Sequence, residues 1–345
     1  MDSGSQRTFH LLRHLAARAD VRLLDIAPDP SEPDTSQAWS YQHEGRVLPD
    51  IPAAWRCLAP DLWAERCTPV ADAYVRRAAI EDIDLLIFAS WPLIPSRKAG
   101  APSPRVVWDG DSHSSYHATR AAAASVPPAR RAHSTWLSRR YARLERRLSD
   151  VADAVTLAGP LDVHPFAAWR PGLARWIPNE VTQVEPRPLH PHFDFGFLGS
   201  NWPPNADGMR WFVRRVWPEV LRQRPQSTLA VAGNIRVDPM HGVTALGRVD
   251  DKADFYAQVS GIVVPVDYGS GTQQKLLETI DLEVPVYTSR YGQRSTLLDH
   301  LTVLDAEDDW VRGLVRHLDG HRPARLASIA QTAEAAVDQL LEDLR

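Results

Sequence analysis

Gly269, Ser270, Gly271, Thr272, Lys275 and Glu278 fall within twelve residues of one another in the run Asp267-Tyr268-Gly269-Ser270-Gly271-Thr272-Gln273-Gln274-Lys275-Leu276-Leu277-Glu278. Their types and order suit an anion. Glycines let backbone N–H groups approach a phosphate closely, a helix start contributes partial positive charge, and a lysine one turn in adds a full charge. Glu278 lies three residues beyond Lys275, on the same face of a helix, where its carboxylate can accept from the hydroxyls of a ribose. A segment that offers a cation and a carboxylate at this spacing points to a nucleotide. A second group, Asp109-Gly110-Asp111-Ser112-His113, follows the apolar Val106-Val107-Trp108. His113 can contact a sugar or its diphosphate and Asp111 can orient it. Asp-x-Asp after a strand can also hold a divalent cation against a diphosphate.

Both groups need elements that end where they stand. The run Gly261-Ile262-Val263-Val264 reads as a buried strand, and so does Val106-Val107-Trp108. Each therefore places its polar residues beyond the carboxyl end of a strand, the position that open α/β sheets use for ligands. Further strands are expected over 21–26, 85–88 and 154–157, with a helix over 8–17, and this alternation predicts parallel sheets. Pro28, Pro30, Pro33, Pro49, Pro52 and Pro60 make residues 27–69 a long irregular connection, of a kind that can shape an acceptor pocket. Over 130–149, Leu137, Tyr141, Leu144 and Leu148 share one helical face opposite Arg139, Arg143 and Arg146. This reads as a helix with one solvated face; the alternative is a basic amphipathic helix at an anionic membrane. Glu185-Pro186-Arg187-Pro188-Leu189-His190-Pro191 reads as a stiff linker, which puts a domain boundary near 185 and a cleft beside it. Residues 323–345 carry an apolar stripe and read as a closing helix.

Taken in order, these segments resemble the retaining glycosyltransferases of the GT-B fold, family four. Strand, Gly-Ser-Gly-Thr, Lys-x-x-Glu and the following Val284-Pro285-Val286-Tyr287-Thr288-Ser289 are similar to that family's donor half. Upstream, Phe195-Gly196-Phe197-Leu198-Gly199-Ser200-Asn201-Trp202-Pro203-Pro204-Asn205 matches the strand and loop that open its second domain. Ala230-Val231-Ala232-Gly233-Asn234 and Leu246-Gly247-Arg248-Val249-Asp250-Asp251 fall where its next two strand-loop units stand. The resemblance covers about residues 192–300. It implies two Rossmann-like domains, 1–185 on the acceptor side and 186–322 on the donor side, with 323–345 crossing back to the first. It implies donor contacts from Gly199, Ser200, Gly233, Asn234, Tyr268, Gly269, Ser270, Gly271, Thr272, Lys275 and Glu278, catalytic roles for Asp111, His113 and Lys275, and acceptor-side contacts from Gly4, Ser5 and Arg7. The implied reaction is a retaining, metal-independent transfer from a nucleoside-diphosphate sugar, with UDP or GDP as the carrier, to a hydroxyl acceptor, and without a cofactor.

The chain departs from that family in three places. Ser270 stands where the first of two paired glutamates is expected, Gln273 and Gln274 fill an interval that often holds a second basic residue, and Ser200 and Asn201 follow Gly199 where a basic residue is common. The clamp on a diphosphate thus has fewer cations. Only three residues precede Gly4, so the family's first, central strand is missing from the expected sheet, and a truncated start is the reading adopted for it. These departures define the alternative of a non-catalytic GT-B homologue that acts as a nucleotide-binding or partner subunit. A nucleotide-sugar epimerase ranks last, because no acid/base pair for it is evident.

Composition narrows the rest. At 345 residues the chain is long enough for two domains, since one hydrophobic core rarely serves so many. A net charge of −4 gives no electrostatic reason to bind nucleic acid. Cys57 and Cys67, without clustered histidines, suggest neither zinc nor a disulfide framework. With no apolar run of membrane-spanning length and no signal-like start, the expected place is the cytoplasm, with peripheral contact at the inner face of the cell membrane as an option.

Overall fold

The computed structural model describes residues 11–25, 40–44, 60–89, 93–101, 104–180, 184–296, 298, 301–321 and 333–344. The chain forms two compact units, one from 1–117, 135–180 and 331–345, the other from 118–134 and 181–330. Segment 118–134 lies within the stretch that the sequence assigns to the first domain, yet it groups with the second unit.

In the first unit, helix α1 (11–16) leads to β1 (Arg22–Asp25), which pairs in parallel with β2 (Ser40–His43). Helix α2 (Pro60–Ile80) then leads to β3 (Leu85–Phe88) and β4 (Arg105–Gly110), followed by α3 (His113–Ala122) and α4 (Pro128–Val151). Strand β5 (Ala154–Leu157), α5 (Val163–Trp169) and β6 (Ala174–Trp176) complete a parallel sheet of order β3-β4-β5-β6. The irregular connection expected over 27–69 is therefore interrupted. Strand β2 lies within it, and α2 begins at Pro60, where proline's missing N–H costs nothing in a first helical turn. Helix α4 matches its pattern: Leu137, Tyr141, Leu144 and Leu148 are buried in a core with Trp108, Phe88 and Phe166. That apolar stripe is thus committed to the core, while Arg139, Arg143 and Arg146 face solvent.

The second unit begins with β7 (Phe193–Leu198), α6 (Pro203–Trp211) and α7 (Trp217–Gln223). Between those helices, Phe212–Val216 forms a π-helical turn in which Trp217 N–H donates to the Phe212 carbonyl. Pro218 supplies the reason, because it has no N–H for the regular ladder and the helix relieves the mismatch just upstream. Then come β8 (Leu229–Ala232), β9 (Val243–Gly247), α8 (Lys252–Ala257), β10 (Val259–Val264), α9 (Gln274–Leu277), β11 (Val286–Thr288), α10 (Arg290–Thr296), β12 (Thr302–Val303) and α11 (Glu307–Leu318). Every pairing is parallel and the order is β12-β11-β10-β7-β8-β9. Chain order thus runs outward from β7 to one edge and from β10 to the other, so the topological switch point lies between these two strands.

Alternation along β7 explains its central place. Phe195 and Phe197 point to one face and are fully buried with Phe212, Val216 and Trp217, each burial favouring folding by ~1.5–3 kcal/mol. Gly196 faces the other side, where an added Cβ would stand 2.6 Å from Val259. Helix α12 (Ala333–Asp343) belongs to the first unit. Its Ala336, Val337 and Leu340 pack with Leu11, Leu15, Val107, Ala154 and Ile177, and Asp338 and Asp343 pair with Arg18 and Arg175. No helix among the described residues is long and apolar enough to cross a membrane.

Candidate functional site

The switch point sets the site. Beyond the carboxyl end of β7 stand Gly199 and Ser200; beyond that of β10 stand Asp267 to Thr272, then Lys275 on α9. The sequence therefore brings its two strongest donor segments together by strand order alone. A third loop closes in from β8. Gly199 N–H donates to Ala232 O at 3.0 Å and Gly233 N–H to Gly247 O at 2.7 Å, and Asn234 Oδ1 accepts from Asn201 N–H at 2.8 Å. Gly233 has φ +98°, and a Cβ there would lie 2.0 Å from the Gly199 carbonyl. Only glycine permits this close approach.

Lys275 is half-buried. Its Nζ donates to Asn205 Oδ1 and stands 4.9 Å from the centre of the Phe197 ring. Asn205 is itself fixed, its Nδ2 donating to Ser200 O at 3.0 Å. Burial pushes the Lys275 ammonium down to about 7, against the raising effect of the Glu278 charge. Without an anion, then, much of this lysine is neutral near pH 7. Glu278 is buried, with Oε1 2.6 Å from the Lys252 ammonium and Oε2 accepting from Tyr256 OH at 3.4 Å. Its ion-pair partner is thus Lys252, the first residue of α8, and not its helical neighbour Lys275. Asn205 and Lys252 both lie in stretches that carry the resemblance, but nothing in their types marks them as supports.

Two features of the expected cradle differ. Helix α9 has only four residues, with Lys275 second, so its dipole is small and the loop N–H groups and Lys275 carry the positive potential. Tyr268 points inward: it is fully buried and its OH donates to Asp207 Oδ2 at 2.8 Å. It serves as scaffold for the loop, whereas Gly269 and Gly271, at φ +154° and +69°, shape its path. Ser270 and Thr272 are partly exposed in that loop.

Segment 118–134 braces the same loop. Thr119 Oγ1 donates to Gly269 O at 2.8 Å and accepts from Gly269 N–H at 3.1 Å. Asp267 accepts from Ser125 N–H at 2.9 Å and Ser125 Oγ at 2.6 Å, and burial raises its carboxyl above the usual range despite these bonds. The Arg120 guanidinium lies 5.8 Å from the centre of the Tyr268 ring. Sequence reasoning missed all three residues, because a serine, a threonine and an arginine 140 or so positions from the loop carry no local signal.

In the first unit, His113 opens α3 and Asp111 is exposed just before it. The His113 and His117 rings both stack on Tyr141 of α4, at 4.9 and 5.4 Å between centroids. Burial pushes the His113 imidazole down to about 4, so it is neutral at pH 7. Below it, fully buried Glu145 accepts from Ser114 N–H at 2.9 Å and from the hydroxyls of Ser112 and Ser114. These bonds tie the start of α3 to α4. They do not offset the burial, which raises Glu145 to about 7. Asp109 is buried too and accepts from Thr156 Oγ1 at 2.6 Å. Gly4, Ser5 and Arg7 lie outside the described residues.

Comparisons with known proteins agree with this fold. Residues 192–319 match a family model described as glycosyl transferases group 1. Among solved structures, sucrose-phosphate synthase from Thermosynechococcus elongatus is similar in fold, with a TM-score of 0.62 at 16% identity over 98% of this chain and 89% of that one. HepE from Anabaena, crystallised with UDP and glucose, gives 0.56 at 13% identity over 98% and 92%. WaaG, a glycosyltransferase of lipopolysaccharide biosynthesis, gives 0.54 at 14% over 98% and 95%. No curated protein matches the sequence significantly.

Proposed function

We propose that the protein is a retaining, metal-independent glycosyltransferase that uses a nucleotide sugar; residues 192–319 match the group 1 glycosyl transferase model, and the chain is similar in fold to GT-B glycosyltransferases. The observation that carries this reading is Lys275 at the switch point of the second unit, held over Phe197 by Asn205 beside a glycine-shaped loop. The reaction breaks the bond from the sugar's anomeric carbon to the diphosphate and forms one to the acceptor oxygen on the same face. The acceptor proton passes to the leaving phosphate. Negative charge grows on the diphosphate as this happens, and a protonated Lys275 with the loop N–H groups stabilises it. Glu278, fixed by Lys252 and Tyr256, has lone pairs left for the ribose hydroxyls. A neutral His113 and Asp111 are assigned to the transferred sugar and its acceptor.

Metal independence is supported by the donor set of Asp109-Gly110-Asp111. Asp109 is committed inside the sheet to Thr156 while Asp111 is exposed, which does not favour a shared cation. UDP and GDP are the proposed carriers; UDP is the one seen with HepE. Acceptors of the glycan, lipid-linked and small-molecule classes all offer the required hydroxyl. The test is product formation from UDP- and GDP-sugars with and without EDTA, with the anomeric configuration read by proton NMR. EDTA-resistant turnover with retention is expected; loss of turnover in EDTA, or inversion, overturns the corresponding part.

A further inference from the structure

We propose that Arg120 is a second cation of the donor site, supplied by segment 118–134 and directed at the diphosphate. This inference rests on the donor-site reading above and adds a residue to it. The charge balance of the site is short of cations. A nucleoside diphosphate brings at least two negative charges, and the site opposes them with Lys275, which burial leaves only partly charged near neutral pH. Lys252 is engaged by Glu278. The loop and its flanks from 267 to 274 contain no other basic residue.

Arg120 answers that shortage in three respects. First, its helix is fastened to the loop, because the preceding residue, Thr119, bonds both the N–H and the carbonyl of Gly269. Second, its guanidinium packs against the ring of Tyr268, the loop residue beside Gly269, at 5.8 Å. Third, its Nε is shut off from solvent without a hydrogen-bond partner among the described residues. A buried donor on a charged group with nothing to bond is costly. An anion entering above Gly269 removes that cost after a small rotation of the guanidinium, and the planar fork suits phosphate oxygens better than a lysine would. Stacking on Tyr268 would hold the fork in place, and Asp207 fixes that tyrosine in turn.

The test is calorimetric binding of UDP, GDP, ADP and dTDP, each against its monophosphate, to the wild type, Arg120→Gln, Arg120→Lys and Lys275→Ala. The expected result is a preference for one diphosphate over its monophosphate that falls at least tenfold in Arg120→Gln and is partly kept in Arg120→Lys, with monophosphate affinity unchanged. A cooperative melt near the wild-type temperature checks the fold, and Arg120→Lys keeps the test open where the glutamine variant unfolds. Wild-type discrimination in a folded Arg120→Gln, with discrimination lost in Lys275→Ala, overturns the role of Arg120 and leaves the donor site standing. No binding of any nucleotide to the wild type overturns both.

Discussion

At the scale of single residues, the account turns on a lysine whose charge depends on its ligand. Burial holds Lys275 down to about 7, and a bound diphosphate favours its charged form, so binding takes up protons at pH 7 to 8. Affinity for the diphosphate is greatest below pH 7 and falls by up to about tenfold per unit as pH rises toward the ordinary lysine range. Calorimetry in two buffers of different ionisation enthalpy reads the uptake directly. Lys275→Ala lowers turnover by about 10²–10³ with the melting temperature little changed. His113→Ala lowers turnover while leaving diphosphate affinity within about twofold, as expected of a group that acts on the sugar. The sequence displayed Lys275, Glu278 and the glycines because their chemistry is local. It did not display Asn205 and Lys252 as their holders, or Arg120, Thr119 and Ser125 as braces. Those partners are chosen by three-dimensional approach, and their residue types are common on any surface.

Elements transmit these demands through close contacts. Gly208 on α6 lies against the end of β10, where a Cβ would stand 2.2 Å from the Pro265 carbonyl. Gly208→Ala therefore forces α6 away from the strand that carries the loop. It should destabilise the protein by about 1–3 kcal/mol and weaken nucleotide binding, as read by denaturant melts and calorimetry. The α3–α4 pair shows a pH effect of definite sign. Glu145 has a folded pKa of about 7, above its unfolded value of about 4.3. Its contribution to stability is full below pH 4 and is lost as pH rises through 7, since the folded state must then bury a charge. Glu145→Gln keeps an acceptor for Ser114 N–H without that charge, so it stabilises the protein at pH 8 more than at pH 5. Helix α4 and β10 were legible from their apolar patterns, and β7 through the family resemblance that its residues carry. Strand β2 and the start of α2 were not, because clustered prolines read locally as loop and only packing reveals the strand.

The whole molecule follows from parallel sheets whose order fixes where a ligand is held. In the second unit, six parallel strands with the switch between β7 and β10 gather the Gly199, Gly233 and Gly269 loops. The order could not be read from any one strand, but the succession of strand-loop units resembling a known donor half anticipated it. What remained hidden was the grouping of 118–134 with the second unit, since the bonds of Thr119 and Ser125 to Gly269 and Asp267 join residues far apart in sequence. The most direct test of the central claim is a thermal-shift series with UDP, GDP, ADP and dTDP on the wild type and on Lys275→Ala. A nucleotide at about 100 times its Kd adds ~2.7 kcal/mol, so one base should raise the wild-type Tm by a few degrees and leave Lys275→Ala almost unmoved. A cooperatively melting wild type that responds to none of them, or an equal response in Lys275→Ala, contradicts the donor site described here.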